Sequence, residues 1–268
     1  MLKRPIINLV GIPYDLKSSY MRGAAAAPSD IRNTISDGSS NDWTETGFDY
    51  TTDAEFKDLG DLQIQEYEDL FSQLAAVYHP DESFLFLGGD HSITYPIVKT
   101  IHQHKQGFDI LHFDAHTDLY HDYEGDPYSH ACPFARIMEE GLCERLIQVG
   151  IRTVTKHQRE QIEKFGVEVI TMRDLDRIHQ LELVRPLYIS IDLDGFDPAY
   201  APGVSHHEPG GLVPRDVINF LIGLQQEITA ADIVELNPRR DHERMTSALA
   251  SKLLKELCGI MIRNHRSI

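Results

Sequence analysis

Cysteine, tryptophan and long apolar runs are scarce in this chain of 268 residues, which contains three cysteines and one tryptophan. The cysteines are odd in number and lack C-x-x-C spacing, so they predict neither a disulfide framework nor a thiolate zinc site. No run approaches the roughly 18 apolar residues of a membrane span, and residues 6–11 are typical of a first strand, not of a signal peptide. We therefore expect a cytoplasmic protein with reduced thiols and no membrane partner.

Positive charge is also scarce, since 25 lysines and arginines face 42 aspartates and glutamates, for a net charge of -17. A nucleic-acid-binding surface needs a basic patch, and none is visible, so we expect no nucleic-acid partner. An acidic field favours small cationic ligands by electrostatic steering. A solvated acidic surface that only aids solubility is the alternative.

Short apolar runs alternate with helical patterns along the chain, which is typical of a parallel sheet covered by helices on both faces. The predicted strands are residues 6–11, 56–59, 84–87, 110–113, 146–150, 167–170, 188–191 and 232–236. The predicted helices are residues 65–78, 93–104, 132–139, 156–165, 215–226 and 246–263. Residues 36–52 are polar and predict a surface loop, not a linker, so we expect one domain over residues 1–268.

Acidic side chains follow two of the apolar strands directly. Asp114, His116 and Asp118 come after strand 110–113, and their i, i+2, i+4 spacing points them the same way in an extended chain. Asp192 and Asp194 follow strand 188–191 in the same manner. Carboxylates crowded at the ends of neighbouring strands repel one another unless a positive charge lies among them. The pattern predicts one or two divalent metals at the carboxyl ends of these strands, which is where open parallel sheets bind their ligands.

His91 extends this set, because it follows strand 84–87 in the string Gly88-Gly-Asp-His-Ser92. Asp90 is suited to cap the next helix or to orient His91. Aspartate and histidine suit Mn²⁺, Zn²⁺, Fe²⁺ or Co²⁺. Six ligands are too many for one tetrahedral zinc but suit two metals that share carboxylates. A one-zinc hydrolase and a non-enzymatic sensor are the competing hypotheses.

Two further residues are candidates for substrate chemistry. His130 lies in a loop, where a neutral imidazole is suited to pass a proton to a leaving amine, although fourteen histidines dilute the signal of any single one. Glu235 ends the last strand, and its carboxylate is suited to a planar guanidinium; a buried ion pair or a helix cap is the alternative. His206 and His207 are adjacent and point to opposite sides, so a rim loop that touches substrate is favoured over a metal site.

Taken in order, these motifs resemble the ureohydrolase family of arginases, agmatinases, guanidinobutyrases and formimidoylglutamases. The resemblance implies a three-layer αβα sandwich with a central parallel sheet of about eight strands, and a homo-oligomer, either a trimer or a hexamer. It rests on the strings Gly11-Ile-Pro-Tyr-Asp15, Gly88-Gly-Asp-His-Ser92, Asp114-Ala-His-Thr-Asp118, Ser190-Ile-Asp-Leu-Asp-Gly-Phe-Asp-Pro-Ala199 and Glu235-Leu-Asn-Pro238, with Arg22, Gly23 and Pro28.

The resemblance also implies two Mn²⁺ per subunit and a small cationic guanidino substrate. Mapped by motif, one metal takes His91 and Asp118, the other takes His116 and Asp194, and Asp114 and Asp192 bridge both. His130 matches the proton-shuttle position and Glu235 the guanidinium-binding position, so both are predicted to contact substrate. The predicted catalytic residues are therefore His130, Asp118 and Glu235. The implied reaction is hydrolysis at the guanidinium carbon, which releases urea.

The substrate is predicted from two loops. Residues 119–130 lack the Asn/Thr/Ser-rich sequence that holds the α-carboxylate in animal and bacillus arginases, and residues 150–155 lack their aspartate for the α-amino group. An acidic mouth formed by Asp122, Glu124 and Asp126 favours an amine instead. We therefore predict that agmatine is converted to putrescine and urea. The alternatives are an arginase, for which Arg152 is a candidate carboxylate partner, a guanidinobutyrase or a formimidoylglutamase.

Overall fold

The computed structural model describes residues 4–266, which contain one sheet of eight parallel strands. The strands are β1 (Ile6–Ile12), β2 (Glu55–Asp61), β3 (Ser83–Gly88), β4 (Asp109–Phe113), β5 (Leu146–Ile151), β6 (Glu168–Thr171), β7 (Leu187–Asp192) and β8 (Ile228–Val234). Their order across the sheet is β2-β1-β3-β8-β7-β4-β5-β6. Because every pairing is parallel, all carboxyl ends lie at one edge of the sheet.

Helices cover both faces of this sheet. They are α1 (Ala27–Ser36), α2 (Tyr50–Asp53), α3 (Asp69–Val77), α4 (Thr94–His104), α5 (Pro133–Glu139), α6 (Lys156–Phe165), α7 (Pro214–Gly223) and α8 (Met245–Arg266). Helices α1, α2, α7 and α8 pack on one apolar layer, and α3, α4, α5 and α6 pack on the other. The predicted three-layer αβα arrangement is confirmed. None of the helices within residues 4–266 has the length and apolar character of a membrane span.

The central strands are apolar on both faces because both are covered. All six residues of β7 and all seven of β8 are buried. Alternate residues of β8 enter opposite layers: Ala231 and Ile233 join the α8 side, and Ala230 and Val234 join the α4 side. Strands of this kind are typical of parallel sheets between helical layers. The core therefore holds the middle of the sheet rigidly behind its carboxyl edge.

Eight predicted strands are present, but some helices were missed. Helix α1 (Ala27–Ser36), helix α2 (Tyr50–Asp53) and the 3₁₀ segment Met172–Gln180 were not predicted. Helix α1 is polar apart from a narrow buried stripe that includes Ile31, so its helical period is weak. Strand β8 ends at Val234, before the predicted end at residue 236. The single-domain prediction over 1–268 stays a prediction, and its ends at 1–3 and 267–268 lie outside the described residues.

Backbone hydrogen bonds at Gly89 and Asp90 join the carboxyl end of β3 to two neighbouring loops. The Asp90 amide donates to the Tyr14 carbonyl at 2.9 Å, and the Gly89 carbonyl accepts the Glu235 amide at 2.8 Å. A Cβ atom on Gly89 would lie 2.0 Å from the Tyr14 carbonyl oxygen, which is backbone and cannot rotate away. Only glycine fits this close approach without a shift of the strand end.

We expect Gly89→Ala to lower the free energy of unfolding by about 1–3 kcal/mol, because the added methyl group overpacks a rigid backbone contact. Denaturant unfolding measures this change. Gly223→Ala is the matched control, since a Cβ atom there meets nothing within 4 Å at the end of helix α7. It should be neutral or stabilise by up to about 1 kcal/mol. Equal stabilities for the two variants would contradict the proposed clash.

Candidate active site and metal centre

Four adjacent strands deliver the candidate site to the carboxyl edge of the sheet. In the order β3-β8-β7-β4, each of these strands ends in one of the predicted clusters. The structure brings together all six predicted metal ligands in two groups that share Asp114. Within each group the ligand atoms lie within 4.8 Å of one another: His91, Asp114, Asp118 and Asp192 in the first, and Asp114, His116 and Asp194 in the second. Asp192 occurs in the first group alone, so its bridging role stays a prediction.

His91 presents a ring nitrogen without a hydrogen-bond partner to these carboxylates. Its Nε2 lies 2.9 Å from Ser190 Oγ, and the Ser190 hydroxyl donates to Asp232 Oδ1 at 2.7 Å. Because Ser190 has only one hydroxyl proton, its Oγ accepts the proton of His91 Nε2, so Nδ1 is the nitrogen whose lone pair is available to a metal in the neutral ring. That buried Nδ1 has no hydrogen-bond partner and lies 3.0–3.4 Å from oxygens of Asp114, Asp118 and Asp192.

The pKa values show how strongly this site attracts positive charge. Desolvation opposes a charge on His91 and His116, yet the facing carboxylates raise the pKa of both well above the ordinary value. Burial, with repulsion from neighbouring carboxylates, raises the pKa of Asp192 and brings that of Asp194 to about 7. A bound divalent metal would take the place of the proton that these carboxylates favour on His91, and imidazole together with carboxylates is a donor set that divalent transition metals prefer. The residues therefore fit a metal centre.

His130 and Glu235 form a buried pair beside the cluster. His130 Nδ1 lies 2.9 Å from Glu235 Oε1, which also accepts the His91 amide at 2.9 Å. The other ring nitrogen, Nε2, lies 2.9 Å from Ser19 Oγ. Desolvation lowers the pKa of His130, but the Glu235 carboxylate outweighs this effect and brings the pKa to about 9. Glu235 has a φ of 65°, a left-handed conformation that places its side chain at some backbone cost.

A pocket of about 240 Å³ opens above these groups. Its volume suits a small molecule and not a macromolecule. The predicted residues that line it are His116, Asp118, His130, Asp192, Asp194 and Glu235, together with His206. Residues that sequence reasoning missed are Ser19, Tyr120, Tyr123, Ala131, Thr153, Thr155, Gln158 and Glu208. Tyr120, Tyr123, Thr153 and Thr155 lie in the two loops from which the substrate was predicted, and Gln158 lies in helix α6, but no sequence pattern marks these side chains as pocket-lining.

Two substrate-side predictions from the sequence do not match the structure. Asp122, Glu124 and Asp126 do not line the pocket, and Asp126 pairs with Lys17 at 2.7 Å, so the pocket lining does not support the predicted acidic mouth. Arg152 does not face substrate either. Its guanidinium donates to the backbone carbonyls of Glu208, Gly195 and Asp194, among others, and thereby ties together the loops around the site.

Comparisons with known proteins identify the family. A family model described as "Arginase family" matches residues 6–259. The chain belongs to the arginase family. It is 45% identical over 275 residues to a protein named "Arginase, mitochondrial" from Medicago truncatula, covering 95% of this chain and 81% of that relative. It is 30% identical over 267 residues to a Bacillus subtilis agmatinase, covering 93% and 89%.

The solved structure of arginase from Medicago truncatula superposes with a TM-score of 0.90 at 42% identity, covering 97% of this chain and 89% of that structure. The fold predicted from the motifs is thus the arginase-family fold. This arginase-family protein is a hydrolase that acts on guanidino C–N bonds. Members of this family depend on a binuclear metal centre, and the buried His/Asp cluster of this chain has the residue types that bind such metals.

We expect Glu235→Gln to lower the pKa of His130 below about 9, because the neutral amide no longer offsets desolvation. NMR titration of histidine-labelled protein measures this change. Glu208→Gln is the matched control, since Glu208 lines the same pocket but makes no hydrogen bond to His130. An unchanged His130 pKa in Glu235→Gln would show that the pair does not set its protonation.

Proposed function

We propose that this protein hydrolyses L-arginine to L-ornithine and urea with two Mn²⁺ per subunit. Identity of 43–46% to six plant arginases, against 30% to the Bacillus subtilis agmatinase, supports arginine over the agmatine expected from the sequence. The agmatine expectation depended on an absent carboxylate-binding loop and on an acidic mouth. The loop comparison used animal and bacillus arginases, which are a different branch of the family from the plant arginases. The acidic residues of the expected mouth do not line the pocket.

The lining of the pocket supports an amino-acid head group. The hydroxyl groups of Tyr120, Tyr123 and Thr153 are neutral donors that are suited to a carboxylate. These side chains carry no negative charge that would repel it. Thr155 Oγ accepts the Gln158 amide at 3.3 Å, which leaves its hydroxyl proton for another acceptor. The half-buried Glu208 is the candidate partner for the substrate's α-ammonium group.

The roles of the protein's own groups follow from their hydrogen bonds. Bound metals would lower the pKa of a water molecule at the site and would thereby supply a nucleophile at neutral pH. Glu235 uses Oε1 for His130 and His91, and its Oε2 has no hydrogen-bond partner within residues 4–266, so it is suited to accept from the guanidinium. In the metal-free protein the Glu235 carboxylate brings the pKa of His130 to about 9, and in the proposed mechanism His130 passes a proton to the leaving amine. Ser19 connects His130 to the pocket mouth and offers a path for its reprotonation.

The first test is urea release by the Mn²⁺-loaded enzyme from arginine, agmatine and 4-guanidinobutyrate side by side. We expect kcat/KM for arginine to exceed the others by about 10- to 100-fold, the value of one or two charge-assisted hydrogen bonds to its head group. Glu208→Gln should reduce the preference for arginine over 4-guanidinobutyrate, because only arginine carries the α-ammonium group. Faster turnover of agmatine would reject arginine as the substrate.

The second test concerns the ligand assignment. Asp118→Ala and Asp192→Ala should each reduce the Mn²⁺ content and bring urea release to background, because each removes a carboxylate from the first ligand group. Elemental analysis of dialysed protein measures the metal content. Asp126→Ala is the control, since Asp126 lies outside the pocket and pairs with Lys17. A variant with wild-type metal content and rate would refute the assignment of its residue.

A trimer or hexamer and a cytoplasmic location stay predictions.

A further inference from the structure

A second buried histidine contacts the shared ligand Asp114. His112 lies two residues earlier on β4 and is fully buried, and its Nε2 lies 2.8 Å from Asp114 Oδ2. His112, His91 and Asp114 are also close enough together to form a ligand group. The contact therefore has two possible meanings: His112 is a seventh metal ligand, or it is a donor that holds Asp114 in place.

Gln148 decides between them. It is the register partner of His112 on β5, and its Nε2 lies 3.0 Å from His112 Nδ1 and 2.6 Å from the carbonyl oxygen of Thr117. Only an NH₂ group can donate to the Thr117 carbonyl, so the amide orientation is determined. Its second proton then points to His112 Nδ1, which must accept. A neutral imidazole that accepts at Nδ1 carries its proton on Nε2.

We propose that His112 and Gln148 are positioning residues for the metal centre: Gln148 holds His112 in the Nε2–H tautomer, and that N–H orients the Asp114 carboxylate. His112 itself is then excluded as a ligand, because Nε2 is protonated and the Nδ1 lone pair is occupied. This inference depends on the proposed metal centre but not on the identity of the substrate.

The arrangement leaves Asp114 able to serve two metals. The His116 amide donates to Oδ1 at 2.6 Å, and His112 donates to Oδ2 at 2.8 Å. Each carboxylate oxygen has two lone pairs, so one on each oxygen remains for a metal. With one N–H on each oxygen, the carboxylate plane cannot rotate freely. Groups that fix a ligand in this way commonly change metal affinity by about 10- to 100-fold.

The experiment compares His112→Gln with His112→Leu in the full chain. Glutamine can place an N–H near the position of Nε2, whereas leucine is apolar and has no donor. Metal-depleted protein is titrated with Mn²⁺, and free Mn²⁺ is followed by its EPR signal. We expect His112→Leu to weaken Mn²⁺ binding by about 10- to 100-fold and His112→Gln to recover most of the affinity. Gln148→Met should weaken binding to an intermediate degree, because His112 is then free to change tautomer.

Phe134→Leu is the matched control for packing. The Phe134 ring lies 4.1 Å from the His112 ring and 5.3 Å from the His91 ring between centroids and makes no hydrogen bond, so Phe134→Leu reports the effect of packing at both rings. Melting temperatures in EDTA report the stability of every variant without metal. Wild-type affinity in His112→Leu, an equal loss of affinity in Phe134→Leu, or no recovery in His112→Gln would overturn the inference. A wild-type protein that binds no Mn²⁺ would instead reject the metal centre itself, and urea release from arginine tests the function separately.

Discussion

Mutual repulsion among buried carboxylates at the carboxyl edge of the sheet is the constraint on which the rest of this structure depends. Asp114, Asp118, Asp192 and Asp194 are each at most 7% exposed and lie within one small volume. Such an assembly is costly to bury unless cations and fixed N–H donors compensate it. The parallel sheet provides the place, because four adjacent strands end there together. The apolar layers on both faces hold those strand ends rigidly enough to keep the groups close.

A chain of hydrogen bonds behind the ligand layer sets the orientation of the His91 ring. Ser190 and Asp232 direct the lone pair of His91 toward the cluster, and the Asp232 carboxylate is in turn satisfied by hydroxyls of Tyr188 and Thr94. Ser190, Tyr188 and Thr94 are neutral, whereas Asp232 is a further buried acidic residue behind the cluster. Arg152 acts farther out, where it satisfies backbone carbonyls of the loops that carry the ligands.

The substrate side of the pocket is lined by different chemical groups from the metal side. Glu235 is shared between the His91 amide and His130, so one carboxylate links the ligand layer to the candidate proton shuttle. Farther out, the lining consists mostly of neutral hydroxyl and amide groups from separate loops and from the first turn of helix α6. In the proposed function, the inner end binds the cationic guanidinium and the outer end binds the head group of the substrate.

The sequence by itself determined the fold class and the six ligand candidates, because strand periodicity and an i, i+2 spacing are local properties of the chain. In the structure, Asp118 has a φ of 48° and Asp194 lies in the 3₁₀ segment Leu193–Gly195, so these side chains converge through turns at the strand ends and not along an extended chain. The sequence did not reveal helix α1, whose apolar stripe is narrow, or the neutral lining of the pocket. It also did not show that His112 donates to Asp114, since that role depends on Gln148 across the strand pair. Hydrogen-bond partners far apart in sequence are chosen by packing, and only the tertiary structure decides them.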